Sequence, residues 1–192
     1  KLENNSFSFS DYYSNDLPPL TKVSLPSELQ STSSPFYGQK NLKEVVLRGN
    51  WKTIPSGLFS GTGIEKLVIP EGVTEIGADA FSGSSLKEVV LPKTLTKIGY
   101  SAFSGTQLKD ITLPTSVTTI GSRAFGSIDS LSSVVIPKNL SDAYRAFEGS
   151  QHLKTIHFEE GITKIAGGLF KGSGISSITI PKTVTEIGSE AF

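Results

Sequence analysis

The chain contains no cysteine and no methionine, and it has only two histidines and one tryptophan. Without cysteine there is no disulfide framework, no thiolate metal site and no cysteine nucleophile. Neither sign of charge is in excess: Lys plus Arg and Asp plus Glu each number 18 in 192 residues. That balance argues against nucleic acid as a partner and against electrostatic membrane binding. No apolar run approaches the ~18 residues of a membrane span, so no membrane insertion is expected. No signal-peptide core is visible, and the chain opens on Lys1. Hydrophobic content is low at 36%, yet well above that of a disordered chain. Glycine (19) and proline (10) are what the chain has in quantity, and they announce many turns.

Those turns belong to an internal repeat, the first feature to look for because it decides the fold. The clearest copies read IEKLVIPEGVTEIGADAFSGSS from Ile64, LKEVVLPKTLTKIGYSAFSGTQ from Leu86 and LKDITLPTSVTTIGSRAFGSIDS from Leu108. The stretch from Ile175 is the same unit cut short at Phe192, and divergent copies start at Leu20, Leu42, Leu131 and Leu153. Eight units of 22 or 23 residues result. The phenylalanines check this independently: Phe36, Phe59, Phe81, Phe103, Phe125, Phe147, Phe170 and Phe192, eight of the 11, recur at that step.

Within a unit, Val89 and Leu91 alternate with a period of two, the mark of a short strand. Pro92 ends it, having no N–H to donate. A second extended piece carries Leu95 and Ile98 inward, and Gly99 permits a turn that a side chain would obstruct. The tail, Ser101-Ala102-Phe103, reads as a turn or a single 3₁₀ turn. One such coil cannot bury its own apolar face; stacked coils can, each touching only its neighbours. Like residues then form ladders about 4.8 Å apart.

The unit L-x-x-V-x-L-P-x-x-V-T-x-I-G-x-x-A-F-x-G resembles the BspA-like class of bacterial leucine-rich repeats. The resemblance implies a leucine-rich-repeat solenoid, with residues 20–192 forming eight coils of short parallel strands, turns and short 3₁₀ segments. It also implies an extracellular or cell-surface protein concerned with adhesion or binding. Two departures stand out. The family's cysteine three residues after the Phe is replaced by Thr62, Ser84, Thr106, Ser150 and Ser173, with Gln39 and Ile128 as exceptions. A hydroxyl there can still bond backbone. The usual Asn ladder is missing, with only Asn50 and Asn139 near it. The copies from Leu20 and Leu131 each lack one residue before their Phe, which predicts local irregularity.

Outward positions of the first strand supply the candidate binding residues. Position three runs Lys22, Glu44, Lys66, Glu88, Asp110, Ser133, Thr155, Ser177, and position two runs Thr21, Lys43, Glu65, Lys87, Lys109, Ser132, Lys154, Ser176. In the N-terminal half the signs alternate from coil to coil, which converts like-charge repulsion into cross-strand pairs. Position five carries Val46, Val68, Val90, Thr112, Val135, His157 and Thr179. Strand propensity accounts for valines there; an apolar stripe open to a partner is the alternative. Ser133, Thr155 and Ser177 make the C-terminal half hydroxyl-rich, suited to a glycan or a peptide, or simply to water.

Catalysis finds no support. His152 and His157 have no nucleophile or orienting carboxylate assigned to them by spacing, Glu159 merely replaces the usual Pro, and two histidines with scattered carboxylates make no metal site. No cofactor motif is present. Trp51 stands in the column of Val73, Leu95 and Val117, which reads as core, with a sugar-stacking platform as the alternative. Tyr12, Tyr13, Tyr37 and Tyr100 look scattered. Residues 1–19 lie outside the repeat and are either an N-terminal cap over the first coil or a linker. After Phe192 either further repeats follow or two chains cover each other end to end. The sum is a non-enzymatic surface module whose partner is a host or matrix protein or a glycan, or else a spacer within a larger surface protein.

Overall fold

The computed structural model describes residues 19–27 and 34–192, and the expected cap over residues 1–19 falls outside them but for Pro19. Every strand is two to four residues long, because each coil must turn again as soon as proline or glycine is reached. First strands are β1 (Lys22–Leu25), β2 (Glu44–Leu47), β4 (Lys66–Val68), β6 (Glu88–Val90), β8 (Asp110–Thr112), β10 (Ser133–Ile136) and β11 (Thr155–Phe158). Second strands are β3 (Thr53–Ile54), β5 (Glu75–Ile76), β7 (Lys97–Ile98), β9 (Thr119–Ile120), β12 (Lys164–Ile165) and β13 (Glu186–Ile187). All pairings are parallel, each strand on the same strand of the next coil, as in Lys66↔Glu88 and Ile76↔Ile98. The chain is therefore a parallel β-solenoid. Seven of the eight units contribute a first strand; the last, from Ile175, runs without one.

The phenylalanine column forms the expected spine. Phe59, Phe81, Phe103, Phe125 and Phe147 have no exposed surface, and consecutive rings from Phe36 to Phe192 stack with centroids 5.2–6.0 Å apart. Offset stacking of this kind adds to the burial of the rings. Trp51 is core, 1% exposed, and its indole N–H donates to the Arg48 carbonyl at 3.0 Å.

The tails of the coils are turns, and no 3₁₀ segment occurs among the described residues. Their N–H groups divide between two uses. Ser82 and Ser84 donate within the turn, to Asp79 and Phe81, while Asp79, Phe81 and Gly83 donate to Tyr100, Ala102 and Ser104 of the next coil. Alternation between coils prevents the unbroken run of local bonds that a 3₁₀ helix needs. The position two residues before the Phe is left-handed in every coil from Phe59 on: Asp79, Ser101, Arg123, Arg145 and Glu190 have φ of 48–56°, and Gly57 and Gly168 hold the same place. Gly99 serves differently from the expectation of a permissive turn. A Cβ there would lie 2.6 Å from the Ala78 nitrogen, so glycine lets two backbones approach.

Irregularity appears at the copy from Leu131, as its missing residue predicts. Asp142 makes only an isolated bridge to Thr119, which divides the second-strand column into β3-β5-β7-β9 and β12-β13. The replacement hydroxyl column is partly structural. Thr62, Thr106 and Ser150 donate to the carbonyls of Phe59, Phe103 and Phe125 at 2.7–2.8 Å, whereas the Ser84 and Ser173 hydroxyls have no partner among the described residues.

Candidate binding face

Sheet pleating directs positions three and five of every first strand to solvent and position four to the core. The charges on this face pair as the alternation predicts. Lys22 meets Glu44 at 2.6 Å, Lys66 meets Glu88 at 2.8 Å, and Glu65 meets Lys87 at 2.9 Å. The hydrogen bond from Lys87, helped by its charge, holds the Glu65 carboxyl below its ordinary range.

Among the candidate residues, Val68 and Val90 are the most open apolar ones, 66% and 58% exposed, and they are cross-strand partners. Thr112, Val135 and His157 lie side by side on β8, β10 and β11, above the row Asp110, Ser133 and Thr155. His157, Thr112 and Thr155 are exposed, whereas Val46, Val135 and Ser133 are half-buried. Ser177 and Thr179 are exposed but belong to no ladder; with Lys154 and Thr155 they edge a groove of about 310 Å³.

The face is not one continuous stripe. Its strands form three separate groups, β1-β2, β4-β6 and β8-β10-β11. Each group ends on inward residues that remain half-exposed: Val45 and Leu47, Val89 and Leu91, Ile156 and Phe158. Their successors Leu67, Ile69, Ile111 and Leu113 are buried. At each of these steps the coils stay bonded through the second strand and the turn, as when Gly121 donates to Ile98 and Phe103 to Ala124. The coils thus hold together on two sides and part on the third. A groove of about 770 Å³ opens between β6 and β8.

Glu159 has a structural use. Its N–H, which a proline would lack, donates to Ile136, and its carboxylate accepts from the Lys138 N–H at 2.9 Å and from the Thr115 hydroxyl. These bonds tie three coils together and depress its pKa, the Lys138 N–H contributing most.

A second cluster escaped the sequence reading. Tyr100 and Tyr144 occupy the same turn position two coils apart, and both are exposed. Arg145 and Lys171 lie over the Tyr144 ring at 5.4 and 5.7 Å. Glu148 accepts from Arg123 at 2.5 Å and from Arg145 at 3.0 Å, and the Arg123 bond leads in lowering its pKa. Lys171 pairs with Glu190. The signal available was the shared offset of the two tyrosines, each three residues before its Phe (Phe103 and Phe147), which counting from Leu86 and Leu131 hides because the copy from Leu131 is one residue short. Two carboxylates here bind three cations drawn from neighbouring coils, which makes this edge a clamp between coils.

Known structures share this architecture. A leucine-rich repeat protein from Bacteroides ovatus is 26% identical with a TM-score of 0.59, over 88% of this chain and 54% of that one. A Leucine Rich Repeat protein of T. pallidum (24%, TM-score 0.58, 89% and 70%) and one from Eubacterium ventriosum (22%, TM-score 0.54, 90% and 58%) share the fold. The chain thus spans about half the length of the B. ovatus protein. No curated protein matches the sequence. Among the described residues no group of three or more His, Asp or Glu is placed to hold a metal, and no helix is long and apolar enough to cross a membrane. Leucine-rich-repeat solenoids serve in general as extended macromolecular binding surfaces. The family model described as the BspA type leucine rich repeat region matches in six copies over residues 1–87 and 74–192, and the chain belongs to that family.

Proposed function

We propose that the chain is a binding or adhesion module of an extracellular or cell-surface protein, and that it engages a host or matrix protein or a glycan through its first-strand face. The observation that carries this reading is the pair Val68 and Val90, adjacent, 66% and 58% exposed and flanked by ion pairs. Exposed apolar groups beside one another on a rigid array suit a macromolecule, which many weak contacts can hold at once. The hydroxyl-rich row Ser133, Thr155, Ser177 and Thr179 extends the face. Family membership supports the surface location.

The test is an array of matrix proteins and glycans probed with the folded chain and with Val68→Lys and Thr179→Lys. Loss of a captured ligand by either variant, with melting unchanged, supports the proposal. Retention by both assigns the chain to a spacer instead, a reading favoured by the way the charge ladder is consumed in coil-to-coil pairs. End-to-end association belongs to the same proposal, since Ile187 and Phe192 are 50% and 51% exposed on the last coil. Light scattering across a concentration series reads it out: a mass that stays monomeric removes it.

A further inference from the structure

The step between β6 and β8 differs from the other two openings in its charges. Between β2 and β4 the facing residues are already complementary, Glu44 with Lys66 and Lys43 with Glu65. Between β11 and the last unit, Lys154 and Thr155 face serines. Between β6 and β8, Lys87 faces Lys109 and Glu88 faces Asp110, so both columns lose their alternation at the same step. Lys87 and Glu88 are paired backwards, to Glu65 and Lys66, while Lys109 and Asp110 enter no ion pair among the described residues.

The lips of this groove also carry free main-chain groups. In a parallel ladder, successive residues direct their N–H and C=O to opposite neighbours. Glu88 donates to Glu65 and Val90 accepts from Ile69, so the groups of Val89 point away from β4, toward β8. On the other lip Lys109 accepts from Ser132 and Leu113 donates to Val135, leaving Asp110 and Thr112 turned toward β6. No backbone hydrogen bond joins residues 87–91 to residues 109–113. Half-exposed Val89 and Leu91 and the edge of Ile111 make an apolar floor. The volume, about 770 Å³, lies within the range of ligand sites.

We propose that this open step is a docking groove for an extended peptide of a partner protein, one that carries an acidic residue followed directly by a basic residue and then apolar residues. Such a segment places an anion between Lys87 and Lys109 and a cation between Glu88 and Asp110, and offers its own N–H and C=O to the lips. The chain contains the complement already: on the other side of β6, Glu65-Lys66 makes these two pairs at 2.9 and 2.8 Å. The proposal rests on the macromolecule-binding reading above and narrows it to one peptide chemistry.

The test is fluorescence anisotropy of the full chain with a labelled synthetic peptide, Ile-Glu-Lys-Leu-Val-Ile-Pro, and with its charge-swapped form, Ile-Lys-Glu-Leu-Val-Ile-Pro. The paired variant Lys109→Glu, Asp110→Lys restores alternation across the step and removes the complement. Saturable binding of the first peptide is expected. It should weaken about tenfold on swapping the peptide charges, and likewise in the paired variant, since two exposed pairs are reversed. Absence of binding, equal binding of both peptides, or binding unaffected by the variant overturns the proposal. So does a neutral oligosaccharide held there irrespective of charge, or dimerisation of the chain through this groove. Because the swapped peptide is tested on the unaltered chain, the result stands even where the variant folds poorly. Failure here with a ligand still lost in Val68→Lys discards the peptide groove and keeps the binding face.

Discussion

The phenylalanine spine can be put to a graded test by truncating rings at different heights. Phe103 has no exposed surface and is stacked on Phe81 at 5.2 Å and on Phe125 at 5.3 Å, with interplanar angles of 10° and 3°. Phe103→Ala removes a buried ring from a core held on both sides by backbone bonds, as where Phe81 donates to Ala102 and Phe103 to Ala124. Those bonds oppose collapse of the cavity, so the cost should lie at the upper part of the ~3–5 kcal/mol range for such a truncation. Phe192 stacks on one side only, at 6.0 Å, and is 51% exposed. Phe192→Ala should therefore cost only about 1 kcal/mol, roughly half the transfer energy of a full ring. Urea titration of both variants measures the difference. Since each coil is stabilised only by its neighbours, the Phe103 variant should also melt less cooperatively, its two halves uncoupled. Equal losses at the two sites, or a Phe103 loss below about 1 kcal/mol, would refute a stack in which stability is shared between nearest neighbours.

Two neighbouring positions in one turn should respond to small substitutions with opposite sign. Gly99→Ala sets a Cβ 2.6 Å from the backbone nitrogen of Ala78 and should cost about 1–3 kcal/mol, while Ser101→Gly relieves a residue at φ 48° and should gain about 0.5–1 kcal/mol, both read as shifts in urea midpoint. Acid should weaken the solenoid. Glu65, Glu148, Glu159 and Glu190 all have pKa values lowered by bonds to cations or to backbone N–H, so they bind fewer protons folded than unfolded. Their contribution is complete above the ordinary value of 4.5 and is lost as pH falls through their lower folded values; Asp79, raised by burial, acts in the opposite sense but alone. Melting temperature should be level near neutrality and fall below pH 4.5, and a rise in that window would contradict the assigned pairs.

Much of this molecule could be read from one dimension, because a repeat converts position in sequence into position in space. The 22-residue step alone places eight phenylalanines in one column, puts Trp51 beside Val73 and Leu95 in the core, and matches Lys66 with Glu88. The missing residue near Leu131 likewise foretold the break in the second-strand column. Tertiary structure decided what lies between rungs. Periodicity gives the order of the coils but not how evenly they are spaced around their circumference. That depends on the competition among strand, turn and ring stacking in three dimensions, and here the second strand and the turn keep contact where the first strand lets go. The same competition turned the expected 3₁₀ segments into simple turns and divided one expected stripe into three patches. It left Val89 and Leu91, core residues by pattern, at the floor of an open groove.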